Sequence, residues 1–137
     1  MKKKVVICVQ KDISNVVNWA LKELTEVSTQ YLDHLYQLEK TFESDKDFCG
    51  IIIDSFIDGE STIPFLEKLR EKVKIKILLI ISPDTAKQNI VKLIQEKKVD
   101  NVIIKPFNAN QIVDAVAKLC NIARSSETPW YMYTKPQ

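Results

Sequence analysis

The sequence is poor in the residues that most often announce a chemistry. It holds two glycines, Gly50 and Gly59, one histidine, His34, and three cysteines, Cys8, Cys49 and Cys120. A nucleotide or flavin site of the usual α/β kind needs a Gly-rich or Ser/Thr-rich loop after the first strand, where backbone N–H groups meet phosphate. Here that stretch reads QKDIS. Zinc needs a close set of four ligands, and one histidine with no Cys-x-x-Cys pair supplies none. Cysteines that are odd in number and far apart in the chain read instead as small buried thiols of a reducing compartment. Long apolar runs are also missing. VVICV, after the basic MKKK, is too short for the core of a signal peptide, and ILLII at 77–81 is too short to cross a bilayer. Charge of one sign is not in excess: 20 Lys plus Arg stand against 18 Asp plus Glu, a net +2. Such a balance gives no electrostatic footprint for nucleic acid or an acidic membrane. The expectation is a cytoplasmic protein with neither as a partner.

What is present suits one folded domain. The chain has 137 residues, 45% hydrophobic and 28% charged. Residues 4–9 form a β-branched strand. From Asp12 the period changes: Ile13, Val16, Val17, Ala20, Leu21 and Leu24 recur at spacings of three and four, one face of a helix capped by Asp12 or Ser14. TQYLDHL reads as a short strand and QLEKTFESD as a short helix. FCGIIID, 48–54, is an apolar strand, followed by a loop containing Asp58 and Gly59 and a helix over 62–73 with Pro64 in its first turn. KIKILLIIS, 74–82, is the fourth strand. A helix capped by Asp84 or Thr85 follows, with Ala86, Ile90, Leu93 and Ile94 inward. NVIIKP, 101–106, is the fifth strand. A last helix spans about 110–123 with Ile112, Val116, Leu119, Cys120 and Ala123 inward. Strand and helix thus alternate five times, and apolar strands without polar alternation are buried on both faces, as in a parallel sheet covered by helices on each side. The predicted fold class is therefore α/β, a doubly wound five-stranded parallel sheet, for which the order taken is 2-1-3-4-5, one of the two common doubly wound orders.

In open parallel sheets, ligands bind beyond the carboxyl ends of the strands. In the order 2-1-3-4-5, that rim gathers Asp54, Ser82 and Lys105 from the third, fourth and fifth strands. A carboxylate, a hydroxyl and an ammonium suit phosphoryl transfer: the first attacks phosphorus, the second donates to a phosphoryl oxygen, the third neutralises spreading charge. The plainer alternatives are a turn or cap role for Asp54, a turn role for Ser82 before Pro83, and a solvated charge for Lys105.

IIIDSF, LLIIS and IIKPF, in this order and spacing, resemble the response-regulator receiver domain, the CheY-like family of flavodoxin-like (βα)5 folds. The resemblance covers roughly residues 3–123, and Lys105-Pro106 after an apolar strand is its most specific piece. It implies a receiver domain over 1–124, with Asp54 as phosphoacceptor, Ser82 as switch hydroxyl and Lys105 as phosphate-sensing lysine. It implies phosphorelay signalling rather than enzymatic activity. A histidine kinase or phosphotransfer protein would be the donor, and a downstream protein or a second copy the target.

The chain also departs from that family. The adjacent acids that hold Mg2+ at the end of the first strand fall on Val9 and Gln10, with Lys11 next. Asp12 and Asp54 are the carboxylates left for the ion, so its affinity should be weakened. Asp58 and Glu60 are further acids that the sequence does not place. The Met-Pro of the loop after the phosphoacceptor is missing from SFIDGES. Val102 stands where the family has an aromatic residue, and Pro83 follows the hydroxyl. Lys11 suggests a substitute: its ammonium would reach Asp54 and replace the metal. These departures motivate an alternative, a phosphorylation-independent pseudo-receiver serving as a protein-interaction module. His34 reads as a surface or half-buried residue. The tail 125–137 carries Trp130, Tyr131, Met132 and Tyr133. These either fold back onto the domain or dock a partner, for which Trp130, Tyr131 and Tyr133 are the expected anchors.

Overall fold

The structure, a computed structural model, describes residues 3–45, 47–84 and 87–122. Its elements in chain order are β1 (Lys3–Cys8), α1 (Lys11–Leu21), β2 (Val27–Tyr31), α2 (Leu35–Ser44), β3 (Gly50–Asp54), β4 (Phe56–Ile57), β5 (Glu60–Ser61), α3 (Ile63–Lys72), β6 (Lys76–Ile81), α4 (Lys87–Gln95), β7 (Asn101–Ile104) and α5 (Ala109–Leu119). Five strands form one parallel sheet in the order β2-β1-β3-β6-β7. Counting only those five, this is the expected order 2-1-3-4-5.

Alternation along the strands divides the core in two. Val5, Ile7, Ile52, Leu78 and Ile80 pack with Val17 and Leu21 of α1 and with Ile112 and Val116 of α5. Val6, Ile51, Ile53, Ile77 and Leu79 pack with Leu38 and Phe42 of α2 and with Leu66 and Leu69 of α3. Both faces are covered, so neither requires polar residues, and the inner strands β1, β3 and β6 read as apolar runs. Gly50 admits the end of α5: a Cβ there would lie 2.5 Å from Leu119 Cδ2. No helix among the described residues is long and apolar enough to cross a membrane.

Several local expectations change. The strand expected at TQYLDHL starts earlier, at Val27, and as an edge strand it buries Val27 alone. α1 has Gln10 as its N-cap, with no side-chain cap, and Ser14 Oγ donates to Lys11 O instead. Val16 and Ile94, read as inward, are 39% and 45% exposed. Their helices meet the sheet along narrower stripes, filled by Val17, Ala20 and Leu21 in α1, and by Ile90 and Leu93 in α4. α5 opens at Asn108, whose side chain accepts from Gln111 N while Gln111 Oε1 accepts from Asn108 N. The loop after Asp54 contains an antiparallel hairpin, β4–β5. Its turn residues Asp58 and Gly59 have φ of 55° and 78°, the left-handed backbone that a tight two-residue hairpin needs. Thr85, Ala86, Ala123 and the aromatic tail lie outside the described residues.

Candidate functional site

Asp54 is the last residue of β3, in register with Ile80 of β6. Every β3 residue is buried, and Asp54 itself is 2% exposed. The segment that follows is held tightly. Ser55 N donates to Ile80 O at 2.8 Å, Thr62 N donates to Ser55 O at 2.9 Å, and Thr62 Oγ1 donates to Asp54 O at 2.7 Å. Thr62 is fully buried, so the hairpin leaves the sheet edge and returns to it within one residue of α3.

Lys105 follows β7, with its backbone N–H on Ile81 O at 2.9 Å and a cis peptide to Pro106. Its Nζ lies 3.0 Å from Asp54 Oδ2 and 3.9 Å from Asp12 Oδ2. The Asp54 side chain is 3% exposed and that of Lys105 17%. The pairing expected across the sheet edge is therefore formed, 51 positions apart in the chain and across β6 (105 less 54).

Gln10 is a member of this site that the sequence reading treats only as a turn residue or as the place of a missing acid. Its Oε1 accepts from Lys105 Nζ at 3.4 Å, its Nε2 donates to Phe56 O at 2.9 Å, and its N–H points to Asp54 Oδ2 at 3.5 Å. As the N-cap of α1, it also brings the positive end of that helix toward the carboxylate. Its position at the end of a buried strand, next to one expected to carry a functional group, was the available signal.

The other expected residues are distributed around this centre. Ser82 lies just past β6, and its Oγ donates to the Asp84 carboxylate. Val9 is buried in the α1/α5 core. Val102 is half-buried against the opposite core. Lys11 is exposed and lines an open cleft of about 320 Å3 with Gln10, Asp33, His34 and Asp58. The ammonium paired with Asp54 is that of Lys105, which corrects the expectation for Lys11. His34 Nδ1 and Asp58 Oδ2 stand 2.7 Å apart.

These residues are a poor fit to a divalent cation. Mg2+ takes carboxylates, waters and phosphate oxygens. Here the two acid positions are a buried valine and an amide. An ammonium stands between Asp54 and Asp12, and Asp58 is engaged by His34. Among the described residues no group of three His, Cys, Asp or Glu side chains could hold a metal.

Fold and sheet-edge geometry together define a class: the chain has the CheY-like receiver fold, with a buried aspartate and a lysine paired at its carboxyl edge. Solved structures show the same architecture. A response regulator from Thermotoga maritima superposes with a TM-score of 0.73 at 15% identity, covering 88% of this chain and 99% of the other. The receiver domain of Francisella response regulator 1452 gives 0.73 at 17% identity, covering 88% and 98%. Adenylate cyclase from Rhodopirellula baltica gives 0.74 at 14% identity, covering 99% and 95%. No family model and no curated protein matches the sequence. At these identities the likeness is one of fold.

Proposed function

We propose that the chain is a receiver-type signalling module that works through protein contacts, with Asp54 held in a metal-free ion pair instead of serving as a phosphoacceptor. The observation that carries this reading is that the two acid positions beside the Asp54–Lys105 pair hold a buried valine, Val9, and the amide of Gln10, whose Oε1 accepts from Lys105 Nζ. A phosphoryl group brings about −1.5 to −2 charges at neutral pH. One ammonium faces that position, and Asp12 adds charge of the wrong sign. With Val9 and Gln10 in place of the acids, no divalent cation makes up the difference. Attack in line also needs an open approach to the carboxylate, which the burial of Asp54 opposes. The module is read as a cytoplasmic binding protein without enzymatic activity, its output passing to a downstream protein.

The position of Asp54 favours a second reading. A carboxylate at the carboxyl end of β3 with a lysine in contact is the arrangement a phosphoacceptor needs. In that case a histidine kinase or phosphotransfer protein supplies the phosphoryl group, Lys105 senses it and Ser82 is the switch hydroxyl.

Acetyl phosphate or beryllofluoride with Mg2+ separates the two readings. The expected result is no adduct by intact mass and no Mg2+-dependent rise in melting temperature. An adduct on the wild type that disappears in Asp54→Ala would establish the second reading.

A further inference from the structure

We infer that Cys49 and Cys120 form a dithiol site that closes reversibly to an intramolecular disulfide by exchange with an anionic low-molecular-weight disulfide. The two sulfurs are 2.7 Å apart, although the residues are 71 positions apart in the chain. The two sulfurs are in direct contact, which is the proximity a disulfide requires. Both residues are free thiols here.

Their proximity is built into the packing. Cys49 immediately precedes β3, where its N–H donates to Lys4 O at 2.8 Å and its carbonyl accepts from Lys76 N at 3.3 Å. Cys120 caps the C-terminus of α5 through a bond from its N–H to Val116 O at 2.9 Å. Between them, Gly50 lets Leu119 approach the strand backbone more closely than any side-chain-bearing residue would. Lys3 Nζ donates to Cys120 O and places a positive charge beside both thiols.

The two thiols differ in character. The hydrogen bond between the two sulfurs pulls the Cys49 thiol down; burial opposes this and the Lys3 charge assists it. The same hydrogen bond, with burial, holds Cys120 up. Cys49 is half-buried and opens on a cleft of about 490 Å3 lined also by Lys74 and Lys76, and by Arg70, whose guanidinium is paired with Asp100. Cationic walls suit a disulfide that carries carboxylates, such as oxidised glutathione.

The exchange balances in two displacements. The Cys49 thiolate attacks one sulfur of the small disulfide. That S–S bond breaks, and the first small thiol leaves with the proton Cys49 has lost. Cys120 Sγ then attacks Cys49 Sγ, the mixed disulfide breaks, and the second small thiol leaves with the proton of Cys120. Two protein thiols are oxidised and one small disulfide is reduced. The site lies at the amino-terminal edge of the sheet, opposite Asp54, so the inference does not rest on the role proposed for that residue.

The experiment exposes the full chain to oxidised glutathione, followed by intact mass and peptide mapping. The expected product has lost two hydrogens, links Cys49 to Cys120, and returns to the dithiol with dithiothreitol. Cys120→Ser should stop at a glutathione adduct on Cys49, and Cys8→Ser should behave as wild type. Three thiols alkylatable after denaturation of the treated wild type, a glutathione adduct accumulating on its Cys49, or a linkage through Cys8 would each overturn the inference. Should Cys120→Ser not fold, the wild-type map decides alone.

Discussion

Lys105→Met removes the ammonium 3.0 Å from Asp54 Oδ2 and strands a carboxylate whose side chain is 3% exposed. At an effective dielectric constant near 20, Coulomb attraction across that distance is about 5.5 kcal/mol. The net cost is smaller, because forming the pair also strips water from both ions. Breaking a buried pair from one side costs about 3–5 kcal/mol. Lys105 keeps 17% of its side-chain surface in water, so the lower end applies, about 3 kcal/mol or a fall of ~10 °C in melting temperature. Asp54→Asn should cost less, about 1 kcal/mol, because a lysine can turn its head to solvent where a buried carboxylate cannot. Its Nζ also retains Gln10 Oε1 at 3.4 Å and Asp12 at 3.9 Å. The double variant leaves no stranded charge and should lose about 2 kcal/mol, which implies a coupling near 2 kcal/mol. Denaturant titration at constant slope measures all three. Strict additivity, or a loss under about 1 kcal/mol for Lys105→Met, would refute the claim that this pair organises the site.

Two further outcomes test local physics. Burial, reinforced by the charges of Asp33, Asp58 and Asp54, pushes the Cys8 thiol up to about 12. Native protein treated with iodoacetamide near pH 8 should therefore be labelled at Cys49 and spared at Cys8, as peptide mapping would show; prompt labelling of Cys8 would contradict the burial. Asn108→Ala removes the reciprocal cap with Gln111 and should cost about 1 kcal/mol in chemical denaturation, whereas Asn108→Asp should retain most of the stability.

Much of the fold was legible because burial on both faces leaves a strong mark. The apolar runs III of IIIDSF and ILLII have no polar alternation, and strands that alternate with helices in such runs fit a sheet covered on both sides. The rim was legible for the same reason: a charged residue at the end of a buried run stands out, as Asp54 and Lys105 do. The stretch around TQYLDHL was harder, since an edge strand with four exposed residues leaves little hydrophobic signal. The β4–β5 hairpin was signalled only by Asp58-Gly59, two residues that also suit an ordinary loop. Val16 and Ile94 were misplaced because helical periodicity identifies a face but not the width of the stripe its neighbours cover.

The sequence by itself determined the alternation of strands and helices, the layer architecture and the residues at the strand ends. Those follow from local periodicity, whereas the strand order is a property of the assembled sheet. Only the tertiary structure decided which charges meet. Lys105 takes the place beside Asp54 that Lys11 also offered, Gln10 joins the pair, and Cys49 and Cys120 come into contact at the opposite edge. The physical reason is range. Periodicity is recorded over a few residues, whereas an ion pair or a thiol contact depends on ångström-scale separations between segments joined through the whole sheet.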